Sequence, residues 1–295
     1  MKPSADRNPV ACKVCGTPSE LFGVVDFHKS CEEARGRRLA LSGCPVYYRR
    51  CAQCGFVFTD AFDDWSQQDF QQRIYNADYA LVDPDFVEAR PTGNARLVAE
   101  SFADARATMR ILDYGGGAGL MAERLRAEGF DTATYDPFSQ FNALPNKQFD
   151  LITCFEVMEH VPWPRAMVRT MDGLLKGEGA ILFSTLVQPE AFAREELGWW
   201  YAAPRNGHIS VFDGCAGAPL QTSGDASGFI QCCVAHGVPA GSGICAASAA
   251  AGVRISSTAN LISGWSVESV ISGSPFRVMP WHGWRQSMFI RLISP

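Results

Sequence analysis

No run of apolar residues in this 295-residue chain approaches the length needed to cross a bilayer, so a membrane-spanning protein is not expected. A surplus of positive charge is also missing. Lysine and arginine number 26 against 31 aspartates and glutamates, giving a net charge of −5, and an acidic balance argues against a nucleic-acid groove as the main partner. The opening Met-Lys-Pro-Ser-Ala-Asp-Arg-Asn lacks the apolar core of a secretory leader. Without an export signal, the 11 cysteines read as thiols and metal ligands rather than disulfides, and a cytoplasmic protein is expected. A complete dinucleotide fingerprint is absent too. Gly115 and Gly117 would fit Gly-x-Gly-x-x-Gly, but position 120 is leucine and the next glycine is Gly119.

What is present is most informative at residues 111–119, Ile-Leu-Asp-Tyr-Gly-Gly-Gly-Ala-Gly. An apolar strand runs into Asp113, then a glycine-rich turn, then a helical stretch that Gly129 stops. Such a turn lets a ligand approach main-chain amides, and the helix behind it aims its positive end at the same place. Asp113 would repel a pyrophosphate there but could hold an ammonium group. Asp136 closes a short β-rich run, where an acid can accept both hydroxyls of a ribose. An ammonium group plus a ribose, without phosphate, describes S-adenosylmethionine.

On these residues the chain resembles the class I S-adenosylmethionine-dependent methyltransferases. Phe149–Phe155 reads as a buried strand, 165–176 as an amphipathic helix closed by Gly177, and 179–186 as the next strand. This alternation predicts an α/β fold, a Rossmann-like doubly wound parallel sheet. Phe-Asp-Leu-Ile followed by Glu156-x-x-Glu159-His160 is similar to the small-molecule branch, which includes quinone and sugar methyltransferases. The resemblance implies cofactor contacts at Asp113, Tyr114, Gly115, Gly116, Gly117, Gly119, Asp136, Pro137, Phe138 and Phe155. Only 13 residues separate Asp136 from Asp150, so the usual third helix and strand should be compressed or missing, leaving Phe138 to Leu144 to build the adenine side.

Two near copies, Cys12-Lys-Val-Cys15-Gly and Cys51-Ala-Gln-Cys54-Gly, predict a tetrahedral four-cysteine site for one structural zinc. Cys31, Cys44 and His28 read as loop or core groups. Val46–Cys51 and the residues between the knuckles read as strands of a zinc ribbon, and some sugar C-methyltransferases resemble this arrangement. The domain expectation is a ribbon over 1–60, a helical linker or cap over 61–108, and a methyltransferase core over 109–212. In the cap, Gln67 to Tyr79 looks helical, ending near Asn76, a further helix is expected after Pro91-Thr-Gly, and Tyr75 and Tyr79 read as packing aromatics that could also reach substrate.

For catalysis, His160 is the foremost base, just past a strand at the edge where ligands bind, and its ordinary pKa near 6.5 suits proton removal. Glu159 could orient it. Alternatively Glu156, Glu159 and His160 could hold a divalent cation. His208 is the second candidate base, within an aromatic and polar tract from Trp199 to Ser210. His282 reads as structural.

Residues 213–295 form an atypical C-terminal segment. Across 213–263 only Asp213, Asp225 and Arg254 are charged, and Ala, Gly, Ser and Cys supply 30 of 51 residues. A glycine-rich irregular segment fits, and so does a reading frame that slipped after Phe212; the abrupt boundary favours the slip. Residues 286–293 could still supply an edge strand.

The resulting expectation is a methyltransferase acting on an oxygen or carbon of a small-molecule acceptor, its oligomeric state open. A non-catalytic zinc- and cofactor-binding scaffold is the alternative, and a nucleic-acid methyltransferase the third reading. The chain has Cys154-Phe-Glu-Val where the last would carry Asn-Pro-Pro or Asp-Pro-Pro before an aromatic residue.

Overall fold

The computed structural model describes residues 9–213 and the short strand segments 270–271, 274–275 and 287–292. Cys232, Cys233, Cys245, His282 and the low-charge tract beyond Asp213 lie outside the described residues.

The chain begins as an antiparallel sheet. Strands β1 (Val10–Ala11), β2 (Pro18–Asp26), β3 (Pro45–Cys51) and β4 (Val57–Phe58) pair in sequence order. The two cysteine knuckles sit at one end of it, at the β1–β2 and β3–β4 turns. Next come three helices: α1 (Gln67–Arg73), α2 (Tyr79–Val82) and α3 (Ala89–Ser101). Helix α1 starts at a capping box in which Ser66 and Asp69 satisfy each other's backbone N–H groups. It ends at Arg73, one turn short of the end expected near Asn76. Helix α3 begins at Ala89 rather than after Pro91, because a proline in the first turn has no intrahelical N–H bond to lose.

The second half alternates strand and helix: β5 (Arg110–Tyr114), α4 (Leu120–Ala127), β6 (Asp131–Tyr135), β7 (Phe149–Phe155), α5 (Pro164–Gly173), β8 (Leu175–Thr185) and α6 (Phe192–Glu195). The two-residue β9 (Ser210–Val211) follows, then a small hairpin of β10 (Val270–Ile271) and β11 (Ser274–Pro275), and finally β12 (Ser287–Leu292). The main sheet runs β12-β8-β7-β5-β6. All its pairings are parallel except β12 on β8, which is antiparallel, so the expected edge strand forms.

Residues 136–148 contain no helix or strand, which leaves β6 at the sheet's edge as the short Asp136–Asp150 spacing required. Strand β5 is buried from Ile111 to Tyr114, as expected of a parallel strand covered on both faces. Helix α5 turns Pro164, Met167, Val168 and Met171 inward, the i, i+3, i+4, i+7 stripe of an amphipathic helix. It stops at Gly173 rather than running to residue 176. Phe149 donates its N–H to Leu174 at 2.9 Å, and β8 already begins at Leu175, pairing with Phe149.

The two sheets share one core. Cys12, Val14, Phe56 and Phe58 belong to the same buried cluster as Leu112, Ile152 and Phe183. Strand β9, far along the chain, adds to β4. Among the described residues no helix is long and apolar enough to cross a membrane.

Candidate functional site

The glycine turn after β5 folds over an unsatisfied acid. Gly115 takes φ +78°, a left-handed conformation that L side chains rarely adopt, and its N–H donates to the Tyr135 carbonyl at 2.7 Å. A Cβ on Gly116 would stand 2.3 Å from Asp113 Oδ2, so only glycine lets the backbone lie this close to that carboxylate. Asp113 is buried. Its Oδ1 accepts the Thr153 hydroxyl at 3.3 Å, while Oδ2 has no hydrogen-bond partner. Burial pushes its pKa up to about 7, the Thr153 bond opposing and Asp136 adding a smaller push. An orphaned buried carboxylate oxygen beside a turn with open main chain is the environment an ammonium group would complete.

Asp136, at the end of β6, faces the same turn. Its Oδ2 accepts the Gly117 N–H at 2.9 Å and its Oδ1 the Phe138 N–H at 2.7 Å. Burial raises its pKa, against the pull of those two donors. Half-buried Pro137 follows, then Phe138, whose ring lies 4.8 Å from Tyr75 and 5.9 Å from Phe70. Phe141 stands where a Cβ on Gly119 would meet it at 2.8 Å, so it borders the turn; Leu144 points outward and is exposed. Phe155 is half-buried against the core beneath α4, and the Tyr114 ring packs beside Tyr135 at 5.0 Å. Asp113, the glycines, Asp136 and Phe138 therefore gather at the carboxyl edge of β5 and β6.

One strand over, β7 is followed by Glu156, a non-glycine residue at φ +54°. Such a conformation costs on the order of 1–3 kcal/mol and is a mark of functional segments. Glu156 Oε1 accepts the Ser184 hydroxyl at 2.9 Å. Burial raises its pKa, and the Arg90 guanidinium opposes the rise; Arg90 itself grips Asp83 with both nitrogens at 2.8 and 3.0 Å. Glu159 and His160 lie in the short turn Met158–His160 that follows. Glu159 is wholly buried. Its Oε1 accepts the Tyr201 hydroxyl and its Oε2 has no partner. Burial, then the neighbouring Glu156, pushes its pKa up to about 8.

His160 packs against His208, the ring centroids 4.8 Å apart, and its Nδ1 is unpartnered. Its expected pKa near 6.5 does not hold: burial lowers it to about 4, so the imidazole is neutral at pH 7. His208 is held well below the ordinary histidine range, by burial and then by His160. Glu159 bonds to Tyr201, not to His160, so no orienting hydrogen bond joins Glu159 to that imidazole. The group able to converge on a cation is Glu159, His160 and His208, with one donor atom from each within 4.8 Å of the others. Glu156, expected among them, bonds Ser184 instead. Sequence reasoning passed over Tyr201, which lies 42 residues from Glu159. It also set aside Cys31, whose Sγ stands 3.5 Å from His208 Nδ1. Tyr75 and Tyr79 pack in the adjoining aromatic core, Tyr75 reaching to 6.1 Å from the His160 ring.

The knuckles are near copies in three dimensions as in sequence. Gly16 donates to the Cys12 carbonyl and Gly55 to the Cys51 carbonyl, both at 2.9 Å. Cys12 Sγ lies 3.6 Å from Cys54 Sγ, Cys15 Sγ lies 3.4 Å from Cys51 Sγ, and all four sulfurs fall within 4.8 Å of one another. Tetrahedral zinc thiolate geometry calls for about 3.8 Å between sulfurs. The four residues present therefore fit such an ion. Cys44 is exposed, and His28 Nδ1 pairs with the Ala40 carbonyl, which leaves both apart from the cluster.

Residues 86–216 match a family model described as a methyltransferase domain. A ubiquinone biosynthesis O-methyltransferase of Bordetella avium (strain 197N) is 30% identical over 128 residues, covering 34% of this chain and 53% of that protein. The Xanthomonas campestris pv. campestris (strain B100) protein of the same name is 31% identical over 120 residues, 32% of this chain and 50% of that protein. The chain thus spans about half the length of the curated relatives it matches. The solved plantazolicin methyltransferase BpumL in complex with SAH aligns at 15% identity over 48% of this chain and 65% of that one, with a TM-score of 0.35. Strands β5 to β8 and the glycine turn all lie within the segment that matches the methyltransferase-domain model.

Proposed function

We propose that the protein transfers a methyl group from S-adenosylmethionine to an oxygen or carbon of a small-molecule acceptor. The observation that carries this reading is the buried, unpartnered Asp113 Oδ2 under the glycine turn, with Asp136 facing the same turn from the next strand. S-adenosylmethionine, when bound, supplies an electrophilic methyl group on a sulfonium. Asp113 would take its ammonium group and Asp136 its ribose hydroxyls. The N–H groups of the turn and the ring of Phe138 would border the rest. The quinone-type names of the relatives favour oxygen as acceptor.

His160 would take the proton the acceptor loses. Burial keeps its imidazole neutral at pH 7, and its Nδ1 has no hydrogen-bond partner. His208 packs against it and would hold the ring in place. Residues 1–60 would serve as a zinc ribbon whose single ion sits on Cys12, Cys15, Cys51 and Cys54. With all four positions filled by sulfur, that ion would be structural. Residues 61–108 would cap the core at 109–212.

The test is methyl transfer itself. Purified protein given methyl-labelled S-adenosylmethionine and a small-molecule extract should move label into the extract, and an Asp136→Ala variant should not. Absence of transfer to any extract fraction at saturating donor would count against the proposal.

A further inference from the structure

Residues of the N-terminal sheet and its loops fasten the tract from Trp199 to Val211 along its length. Lys29 Nζ donates to the Trp199 carbonyl at 2.9 Å, the Arg205 N–H to the Lys29 carbonyl at 3.1 Å, and the Cys31 N–H to Asn206 Oδ1 at 2.9 Å. The hydroxyl of Tyr48, a wholly buried residue of β3, donates to the His208 carbonyl at 2.7 Å. Just past β4, the Thr59 N–H donates to the Ile209 carbonyl at 3.1 Å, which continues the pairing of β4 with β9.

The same tract lies against His160. The Ile209 N–H donates to the Glu159 carbonyl at 2.9 Å, and the Ser210 hydroxyl to the Val161 carbonyl at 3.1 Å, so both neighbours of His160 in the chain are tied to it. Ile209 takes a bond from Thr59 on one side and gives one to Glu159 on the other. That ladder carries the N-terminal sheet through to the turn Met158–His160. The His208 ring, which packs on His160, is itself oriented, because its Nδ1 lies 2.9 Å from the Tyr201 carbonyl and must donate to it. Gly207 takes φ +85°, and a Cβ there would stand 2.9 Å from His160 Nδ1, so bare main chain walls the imidazole. The bonds at Asp113 and Asp136 come from elsewhere, from Thr153, Gly117 and Phe138.

We infer that Tyr48 is a positioning residue for His160: through the main chain of His208 and Ile209, the N-terminal sheet sets the base in place and leaves donor binding to β5 and β6. This rests on His160 being the base of the reaction proposed above. Removing the Tyr48 hydroxyl would strand a buried carbonyl and let the tract relax. Proton transfer demands close and directed contact, so a small displacement of the imidazole slows the reaction steeply.

The experiment compares the full chain with Tyr48→Phe, His160→Ala and the double variant. Tyr48→Phe keeps the buried ring and removes only the hydroxyl. Hydrogen exchange in Tyr48→Phe should quicken over 157–161 and 205–211 and stay unchanged over 111–114. Calorimetric affinity for S-adenosylhomocysteine should stay within about twofold of wild type. Transfer of label from methyl-labelled S-adenosylmethionine into a small-molecule extract, at saturating donor, should fall about tenfold. In the His160→Ala background the same substitution should change transfer by less than about twofold, because the group it positions is gone. An equal loss in both backgrounds would overturn the inference, since Tyr48 would then act apart from His160. Unchanged exchange over 157–161 would overturn it too, whether or not label is transferred. Absence of transfer by the wild-type chain counts instead against the methyltransferase reading.

Discussion

Donor binding should be linked to a proton on Asp113. In the empty protein its pKa is pushed up to about 7 by burial, so below neutrality the carboxyl is largely protonated. A bound ammonium group would stabilise the ionised form and lower that pKa, so binding releases a proton. The sign follows: affinity should rise with pH until Asp113 is already ionised in the free protein, and then level off. With a free-state pKa of about 7 the ionised fraction grows about fifteenfold between about pH 5.5 and pH 7, and affinity should grow by nearly that factor. The upper end of the window matters, because the ligand's own amine begins to lose its proton at about pH 7.7–8.0. Calorimetric titration with S-adenosylhomocysteine, which keeps the ammonium group and ribose, would read this directly. Repeating it in buffers of different ionisation enthalpy would count the protons released. Asp113→Asn should bind more weakly at pH 7 and show a flat profile. A wild-type affinity that does not change between these two pH values, with no proton released, would refute the assignment of Asp113 to an ammonium group.

Other expectations concern separate parts of the molecule. Asp136→Ala removes charged acceptors for two hydroxyls and should weaken donor binding by about 2–4 kcal/mol in the same titration; a loss under twofold would remove Asp136 from the site. Protein purified without added zinc should carry about one zinc per chain, and Cys51→Ser/Cys54→Ser should lose it; unchanged zinc content in that variant would reject the four-cysteine assignment. His160→Ala should lower kcat by roughly 10²–10⁴ with donor affinity nearly unchanged. Full turnover in that variant would make the residue a packing group.

The parts legible in the sequence were those with a local signature. Residues 110–119 announce a strand and a turn because an apolar run, an acid and closely spaced glycines are adjacent in the chain. The knuckles are legible because the same Cys-x-x-Cys-Gly spacing occurs twice. Element ends were less legible. Helix α5 gives way at Gly173 because Leu175 pairs with Phe149, a contact that no window around 173 contains. The two residues of β9 carry no period at all, yet they extend the N-terminal sheet by pairing with β4. For the same reason the Glu159–Tyr201–His208 arrangement was invisible. Its members come from the end of β7 and the loop before β9, and only folding brings a tyrosine between a glutamate and a histidine. Burial was equally hidden, which is why His160 was assigned an ordinary pKa.

The central claim is that the glycine turn takes S-adenosylmethionine, and the most direct test is a calorimetric titration of the purified chain with S-adenosylmethionine and, separately, with NAD. The account predicts saturable binding of about one S-adenosylmethionine per chain and no heat from NAD. Binding of NAD with no binding of S-adenosylmethionine would contradict it.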